Sequence, residues 1–361
     1  MKILIFNWRD IRSPHAGGAE IFTHEIAKKW VRDGHEVTLF ASRFKGSARQ
    51  EVVDGVRTVR DGGKYMVYWK ARKWYKETFS KEGYDVVIDE INTVPFFTPK
   101  FVKEKIVAFI HQLAREFWFY ETKFPINLIG YYWLEYRWLG LYKDLPTVTV
   151  SNSTKSDLVK IGFKKVFVVP EGLSMKPLKK LPVKNERPTI LFVGRFKKVK
   201  KPEDVIKAFA MVKQRIPDAL LWMVGDGYLL EKLRKKYKDS SIRFFGYVPK
   251  QKKLELMRKA WVLAVPGVRE GWGLVVTEAN AMGTPAVGYN IHGLRDSIKD
   301  GKTGFLVNAT PRDLATGLIK ILEDVNLRKK LSKNALRDAR KYSWNKTAKE
   351  FMKVLEMVVN S

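Results

Sequence analysis

Apolar residues fall along this chain in short runs, and between the runs lie stretches in which apolar positions return every three or four residues. The runs have the length of strands buried on both faces, and the stretches have the period of helices packed by one side. Ile3 to Phe6 predicts a buried opening strand. Glu20 to Val31, with Ile21, Phe22, Ile26, Ala27 and Trp30 on one side and Asp33-Gly34 as a stop, predicts a helix, and His35 to Ala41 the next strand. The alternation continues with a turn-interrupted strand pair over 52–59, a helix over 66–79, and strands at 84–88, 106–110, 147–150 and 166–169. A helix over 155–161 has Ser153 or Thr154 as its expected cap. After a lysine-rich, turn-rich stretch from Pro170 to Pro188 the pattern restarts, with strands at 189–193, 219–224, 242–245 and 261–265 and a later one within 301–307. Helices follow at 202–211, near 311–323 and 327–340, and finally at 344–359. Such alternation predicts α/β units with parallel sheets. The expected organisation is two Rossmann-like, doubly wound domains: 1–172, onto which helix 344–359 packs back, a linker at 173–187, and 188–343.

The stretch from Val265 to Tyr289 carries the most chemistry. It reads as strand, loop, helix, turn, strand: an apolar run at 261–265, a loop loosened by Gly271 and Gly273, a short helix through Thr277-Glu278-Ala279, and a stop at Gly283 and Pro285. Glu270 then sits at the strand's carboxyl end and Glu278 on the helix beyond, so both border one ligand, with exposed backbone N–H groups between them. A helix start preceded by glycines is an anion seat, because unpaired amides and the positive dipole end face the ligand. This predicts a diphosphate-sugar site.

Two glutamates with seven residues between them, followed by Ala-x-Ala-x-Gly-x-Pro, resemble the retaining glycosyltransferases of family four. Gly17-Gly18-Ala19-Glu20, His111, Ser151-Asn152-Ser153-Thr154, Gly194-Arg195 with Lys200, and Gly225-Asp226-Gly227 extend the resemblance over nearly the whole chain. It implies the GT-B fold, in which two Rossmann-like domains face a cleft, and transfer of a hexosyl group from a UDP- or GDP-type donor to an acceptor hydroxyl on a glycan, a lipid-linked compound or a small molecule. It also implies roles. Glu278 meets the ribose hydroxyls. Glu270, with the amides of Gly271, Trp272, Gly273 and Leu274, holds the sugar and distal phosphate. Gly194, Arg195 and Lys200 meet the leaving diphosphate, while Tyr247 and Val248 form the base-binding edge. On domain closure Gly17 and Gly18 approach the diphosphate, and His111, at a strand's carboxyl end, meets the transferred sugar. The chain departs from the family pattern twice: Lys201 replaces the glycine after the lysine, leaving open which of Lys200 and Lys201 reaches phosphate, and Glu171-Gly172 replaces an Asn-Gly pair. A nucleotide-sugar epimerase shares the architecture and is the competing enzyme class.

Composition changes the picture in two places. With no cysteine and five scattered histidines, the chain lacks a disulfide framework, thiolate metal ligands and a cysteine nucleophile, so neither metal nor cofactor is expected. The excess of 68 Lys+Arg over 38 Asp+Glu, a formal charge of +30, asks for an anionic partner: phosphorylated substrate, acidic membrane or nucleic acid. No helix-turn-helix, zinc-finger or RNA motif favours nucleic acid. The N-terminal apolar run is too short for a signal peptide, and a cytoplasmic protein is expected, with peripheral contact at the inner face of a membrane. That contact is suggested by two basic aromatic stretches, 64–79 and 117–142. The second, with Phe117, Trp118, Phe119, Tyr120, Phe124 and more rings downstream, suits core packing, a lipid or acceptor surface, or base stacking.

Overall fold

The apolar runs pair as strands of two separate sheets in the computed structural model, which describes residues 1–361. One compact unit comprises Met1–Gly172 with Ser343–Ser361, the other Leu173–Tyr342.

The first unit contains β1 (Lys2–Phe6), β2 (Glu36–Ala41), β3 (Gln50–Val53), β4 (Val56–Arg60), β5 (Val86–Glu90), β6 (Lys105–Ile110), β7 (Thr147–Thr149) and β8 (Val166–Val168). They lie in the order β3-β4-β2-β1-β5-β6-β7-β8. All neighbours are parallel except β3 and β4, the turn-interrupted pair, so this otherwise parallel sheet is mixed. The exception is local: Asp54 and Gly55 both take positive φ, 50° and 87°, the geometry of a two-residue hairpin. Strand order reverses between β1 and β5, which makes the carboxyl ends of those strands the switch point of the sheet. Ile3, Leu4, Ile5 and Phe6 are all buried because helices cover both faces. On one face the final helix, Trp344–Val359, lies against helix Gly18–Arg32: Trp30 Nε1 donates to the Ala348 carbonyl at 3.0 Å, and Phe351 packs on Phe109 and Trp30.

The second unit holds β9 (Thr189–Val193), β10 (Leu220–Val224), β11 (Ile242–Gly246), β12 (Val262–Val265), β13 (Ala286–Tyr289) and β14 (Gly304–Val307). Their order is β11-β10-β9-β12-β13-β14, parallel throughout, with the reversal between β9 and β12. Residues 173–187 lie against this unit. Leu173 is buried, the Leu178 amide donates to the Ala281 carbonyl at 2.9 Å, and Lys184 Nζ donates to Thr284 Oγ1 at 2.7 Å.

Helix starts follow their caps. Helix Asn152–Lys160 begins earlier than Ser153 or Thr154 would allow, because Ser151, in extended conformation, accepts from the Thr154 amide at 3.2 Å. Thr310, Asp324 and Ser343 cap the last three helices in the same way. Residues 117–142 form no continuous regular helix: Phe117–Glu121, Ile126–Ile129 and Glu135–Leu139 are short α-helical pieces, joined around a π-turn at Gly130–Leu134.

Candidate active site

In the second unit the predicted donor residues gather on loops leaving β9, β11 and β12, at the carboxyl edge of the sheet. The β9 exit is shaped by backbone contact. Gly225 takes φ +129°, and a Cβ there would lie 1.9 Å from the Gly194 carbonyl oxygen. Gly227, at φ +148°, would place one 2.7 Å from the Phe196 carbonyl. The Gly-Asp-Gly turn therefore permits the β10 exit to lie directly on the β9 exit, where the Phe196 amide donates to the Asp226 carbonyl at 2.8 Å.

Beyond Phe196 a 3₁₀ turn, Lys198–Lys200, sends two lysines in different directions. Lys200 Nζ pairs with Glu270 Oε1 on the β12 exit loop. The two loops are also joined through the backbone, where the Val268 amide donates to the Val199 carbonyl at 3.0 Å. Lys201 caps the following helix, Pro202–Arg215, from the left-handed region at φ 46° and ψ 48°, and its ammonium lies 5.3 Å from the Tyr289 ring centre and 3.8 Å from Asp204. A left-handed residue at this cap explains why glycine is the usual occupant. Lys200, and not Lys201, is the lysine directed at the Glu270 loop.

Glu270 is fixed from behind. Its amide donates to the His292 carbonyl at 3.2 Å, and Gly293, at φ +79°, would put a Cβ 2.3 Å from the Glu270 carbonyl oxygen. Trp272 turns inward, 4% exposed, edge-on to Tyr342 at 5.3 Å between ring centres. Gly273, at φ +92°, caps helix Leu274–Ala281 without a side-chain partner for the first-turn amides. Glu278 on that helix receives both of its hydrogen bonds from Lys253 Nζ, 2.7 Å to each carboxylate oxygen. Lys253 belongs to helix Lys250–Lys259, which follows Tyr247 and Val248. Tyr247 stands 80% exposed, and Val248 rests partly on the apolar core. Arg195 leaves the sheet directly after Gly194, whose amide donates to the Val224 carbonyl at 3.0 Å.

In the first unit, Gly17 caps helix Gly18–Arg32. Its amide donates to Glu20 Oε2 at 2.6 Å, and Glu20 is in turn held by Arg9 Nε at 3.0 Å. His111, directly after β6, is buried between two carboxylates: Nε2 lies 3.3 Å from Glu90 Oε1 and Nδ1 3.9 Å from Glu171 Oε1. Burial opposes charge on the imidazole, but the hydrogen bonds and fields of Glu171 and Glu90 outweigh it and hold His111 up at about 9. Glu90 is wholly buried, which pushes its carboxyl up, while His111 and Thr23, whose Oγ1 donates to Glu90 Oε2 at 2.5 Å, draw it back.

Four partners escaped the sequence reading. Glu171 was visible only as a departure from Asn, and Glu90 only as a polar strand end. Lys253 and His292 carried no signal, since each meets its glutamate through the tertiary fold.

Two family models match in tandem, "Glycosyltransferase Family 4" over residues 16–176 and "Glycosyl transferases group 1" over residues 174–338. The phosphatidyl-myo-inositol mannosyltransferase of Mycobacterium tuberculosis H37Rv is 35% identical over 182 residues, 48% of each chain. The chain thus spans about half the length of this curated relative in the match. Among solved structures, sucrose-phosphate synthase from Thermosynechococcus elongatus superposes with a TM-score of 0.80 at 19% identity, covering 99% of this chain and 98% of that one. Anabaena HepE in complex with UDP-glucose gives 0.71 at 17%, covering 99% and 100%. The fold is that of the GT-B glycosyltransferases. The chain belongs to the family-four glycosyltransferases.

Proposed function

We propose that this glycosyltransferase moves a hexosyl group, with retention of configuration, from a UDP- or GDP-type sugar to an acceptor hydroxyl. The observation that carries the donor reading is the pairing of Lys200 with Glu270 across the exits of β9 and β12, where strand order reverses and open α/β sheets bind their ligands. The family models and the UDP-glucose complex of HepE support the same choice.

The donor's ribose hydroxyls donate to Glu278, already oriented by Lys253. Glu270 and the amides from Gly271 to Leu274 hold the hexose and the distal phosphate, and Tyr247 with Val248 forms the edge for the base. Arg195 and Lys200 take the charge that builds on the departing diphosphate, work that fixed cations do without a metal ion. In this reading the bond from the anomeric carbon to the diphosphate oxygen breaks as the acceptor oxygen bonds to the same face of that carbon. A phosphate oxygen of the leaving group takes the acceptor's proton. Positioning and electrostatics then supply most of the rate. His111, Gly17 and Gly18 keep the roles that the family resemblance implies. The charge of +30 fits work at the inner face of an anionic membrane.

The test is incubation with UDP- and GDP-hexoses, with and without candidate hydroxyl acceptors, read by NMR of the product's anomeric proton. A product with the donor's anomeric configuration supports the reading. An inverted product, or a hexose changed within the intact donor, refutes it.

A further inference from the structure

We propose that the outer face of residues 117–143, together with the basic stripe on helix Val67–Glu77, is a platform that docks the first unit onto an anionic bilayer by setting side chains among the lipid headgroups. It rests on the proposed work at a membrane and is independent of the donor assignment.

The inner side of the 117–143 segment is fixed to the fold. Gly130 lies so close to Trp118 that a Cβ would come within 2.3 Å of the indole. Glu135, 3% exposed, accepts from the amides of Ala114 and Arg115 at 2.6 and 2.9 Å. Leu139 and Tyr142 are buried, and the Arg115 guanidinium lies over Tyr131 and Tyr136 at 4.2 and 4.8 Å. What faces outward is therefore held there by structure.

Most of the outward side chains are apolar, with Glu121, Lys123 and Arg137 as the charged exceptions. Phe124 is 78% exposed, Tyr132 67%, Ile126 55% and Trp133 53%, with Leu128 and Ile129 beside them. Scattered exposed apolar residues need no explanation, whereas a contiguous set marks an interaction surface. Arg137 lies 4.8 Å over the Trp133 ring, and Lys123 precedes Phe124, the mixture of rings and cations found at a headgroup boundary.

Helix Val67–Glu77 repeats the design. It buries Val67, Ala71 and Tyr75 and turns Trp69, Arg72, Lys73 and Lys76 outward, with exposed Tyr65 and Met66 at its start. From Lys64 to Lys76 there is no carboxylate. Both patches lean on the loop after β5, through Tyr68 on Phe96 at 4.9 Å and Trp138 on Phe97 at 6.2 Å between ring centres.

Chemistry selects the occupant. A glycan wants stacking rings and hydrogen-bonding groups, which Ile126, Leu128 and Ile129 do not offer. A second copy of the chain would bring its own charge of +30 against these cations. An anionic bilayer complements both parts, since headgroup charge meets the lysines and arginines while the interface takes the rings and aliphatic chains. No helix is long and apolar enough to cross a membrane, so the contact is interfacial.

The test is flotation of the full chain with phosphatidylcholine vesicles, with and without phosphatidylglycerol, at low and moderate salt. The protein is expected to float with the anionic vesicles and remain behind with the neutral ones, and brominated lipid is expected to quench its tryptophan emission. F124S/Y132S/W133S changes only exposed side chains and is expected to lose roughly tenfold or more in partitioning. R72Q/K76Q is expected to lose roughly fivefold for each cation removed. Absence of flotation with anionic vesicles, undiminished flotation of the triple variant, or a self-association that the triple variant abolishes while wild type ignores vesicles would each overturn the proposal. Thermal shifts with nucleotide sugars in the same variants are expected to stay at the wild-type value, so a failed docking surface and a failed donor site are told apart.

Discussion

Lys200 and Glu270 form an ion pair between two loops that leave adjacent strands at the point where the second sheet reverses its order. Each is partly buried, with side chains 30% and 15% exposed. The pair keeps a cation and a carboxylate oriented at one strand edge, and in the proposed reading each exchanges this partner for groups of the donor. Such pre-orientation lowers the reorganisation needed when charge develops.

Removing members of this set should therefore cost turnover more than fold. Arg195→Ala and Glu270→Ala are each expected to lower kcat by about 10²–10³ while the circular dichroism spectrum and melting temperature stay near wild type. Near-normal turnover in both would remove these residues from the chemistry.

The two neighbouring lysines should separate cleanly. Lys200→Met is expected to lose turnover on the scale just given. Lys201→Gly is expected to keep it and to hold or raise stability by up to about 1 kcal/mol, because the left-handed cap at φ 46° strains a residue with a Cβ. Steady-state kinetics and urea denaturation of the pair decide this. A larger kinetic loss in Lys201→Gly would reverse the assignment.

Glycine at 225 is required by contact as well as by φ. Gly225→Ala would drive a Cβ into the Gly194 carbonyl and is expected to cost about 2 kcal/mol or more in urea denaturation, with donor affinity falling alongside. A variant of wild-type stability would show that the two exits can move apart freely.

His111 should give stability a pH signature. Its folded value of about 9 lies above the ordinary 6.5, so its charged form is favoured by folding. That contribution is fully present below about 6.5 and is lost as pH rises through about 9. Glu171→Gln removes one of the two carboxylates, so its urea midpoint is expected to fall less than wild type over that interval, and the His111 ring proton to titrate lower by NMR. Parallel midpoint curves would mean that Glu171 does not support the charge.

The parts of this molecule that could be read from sequence are those whose signal is local. Ile3 to Phe6 and Thr189 to Val193 announce buried strands by composition alone. Glu270 and Glu278 could be placed at a strand exit and on the next helix because the glycines between them mark the loop. The antiparallel β3 was visible as half of a turn-interrupted pair, but its direction depends on positive φ at Asp54, which no apolar pattern records. Residues 117–142 resisted for the opposite reason. Their inward positions include Gly130 and the carboxylate of Glu135 beside Leu139 and Tyr142, while rings such as Tyr132 and Trp133 point outward, so hydropathy does not separate the two sides of the segment. Lys253 on Glu278 is a long-range pairing of ordinary surface residue types that nothing in its own neighbourhood distinguishes, and Glu171, marked only by standing where an Asn is usual, meets His111 through the tertiary fold.

The proposed seat for an activated sugar on the second unit is tested most directly by thermal denaturation of wild type and Glu278→Ala with UDP-, GDP- and ADP-hexoses. Binding to the folded state at a hundred times Kd adds about 2.7 kcal/mol. The account predicts a raised Tm in wild type with a UDP or GDP sugar, and loss of most of that rise in Glu278→Ala. No rise with any of these sugars, or an equal rise in the variant, would contradict it.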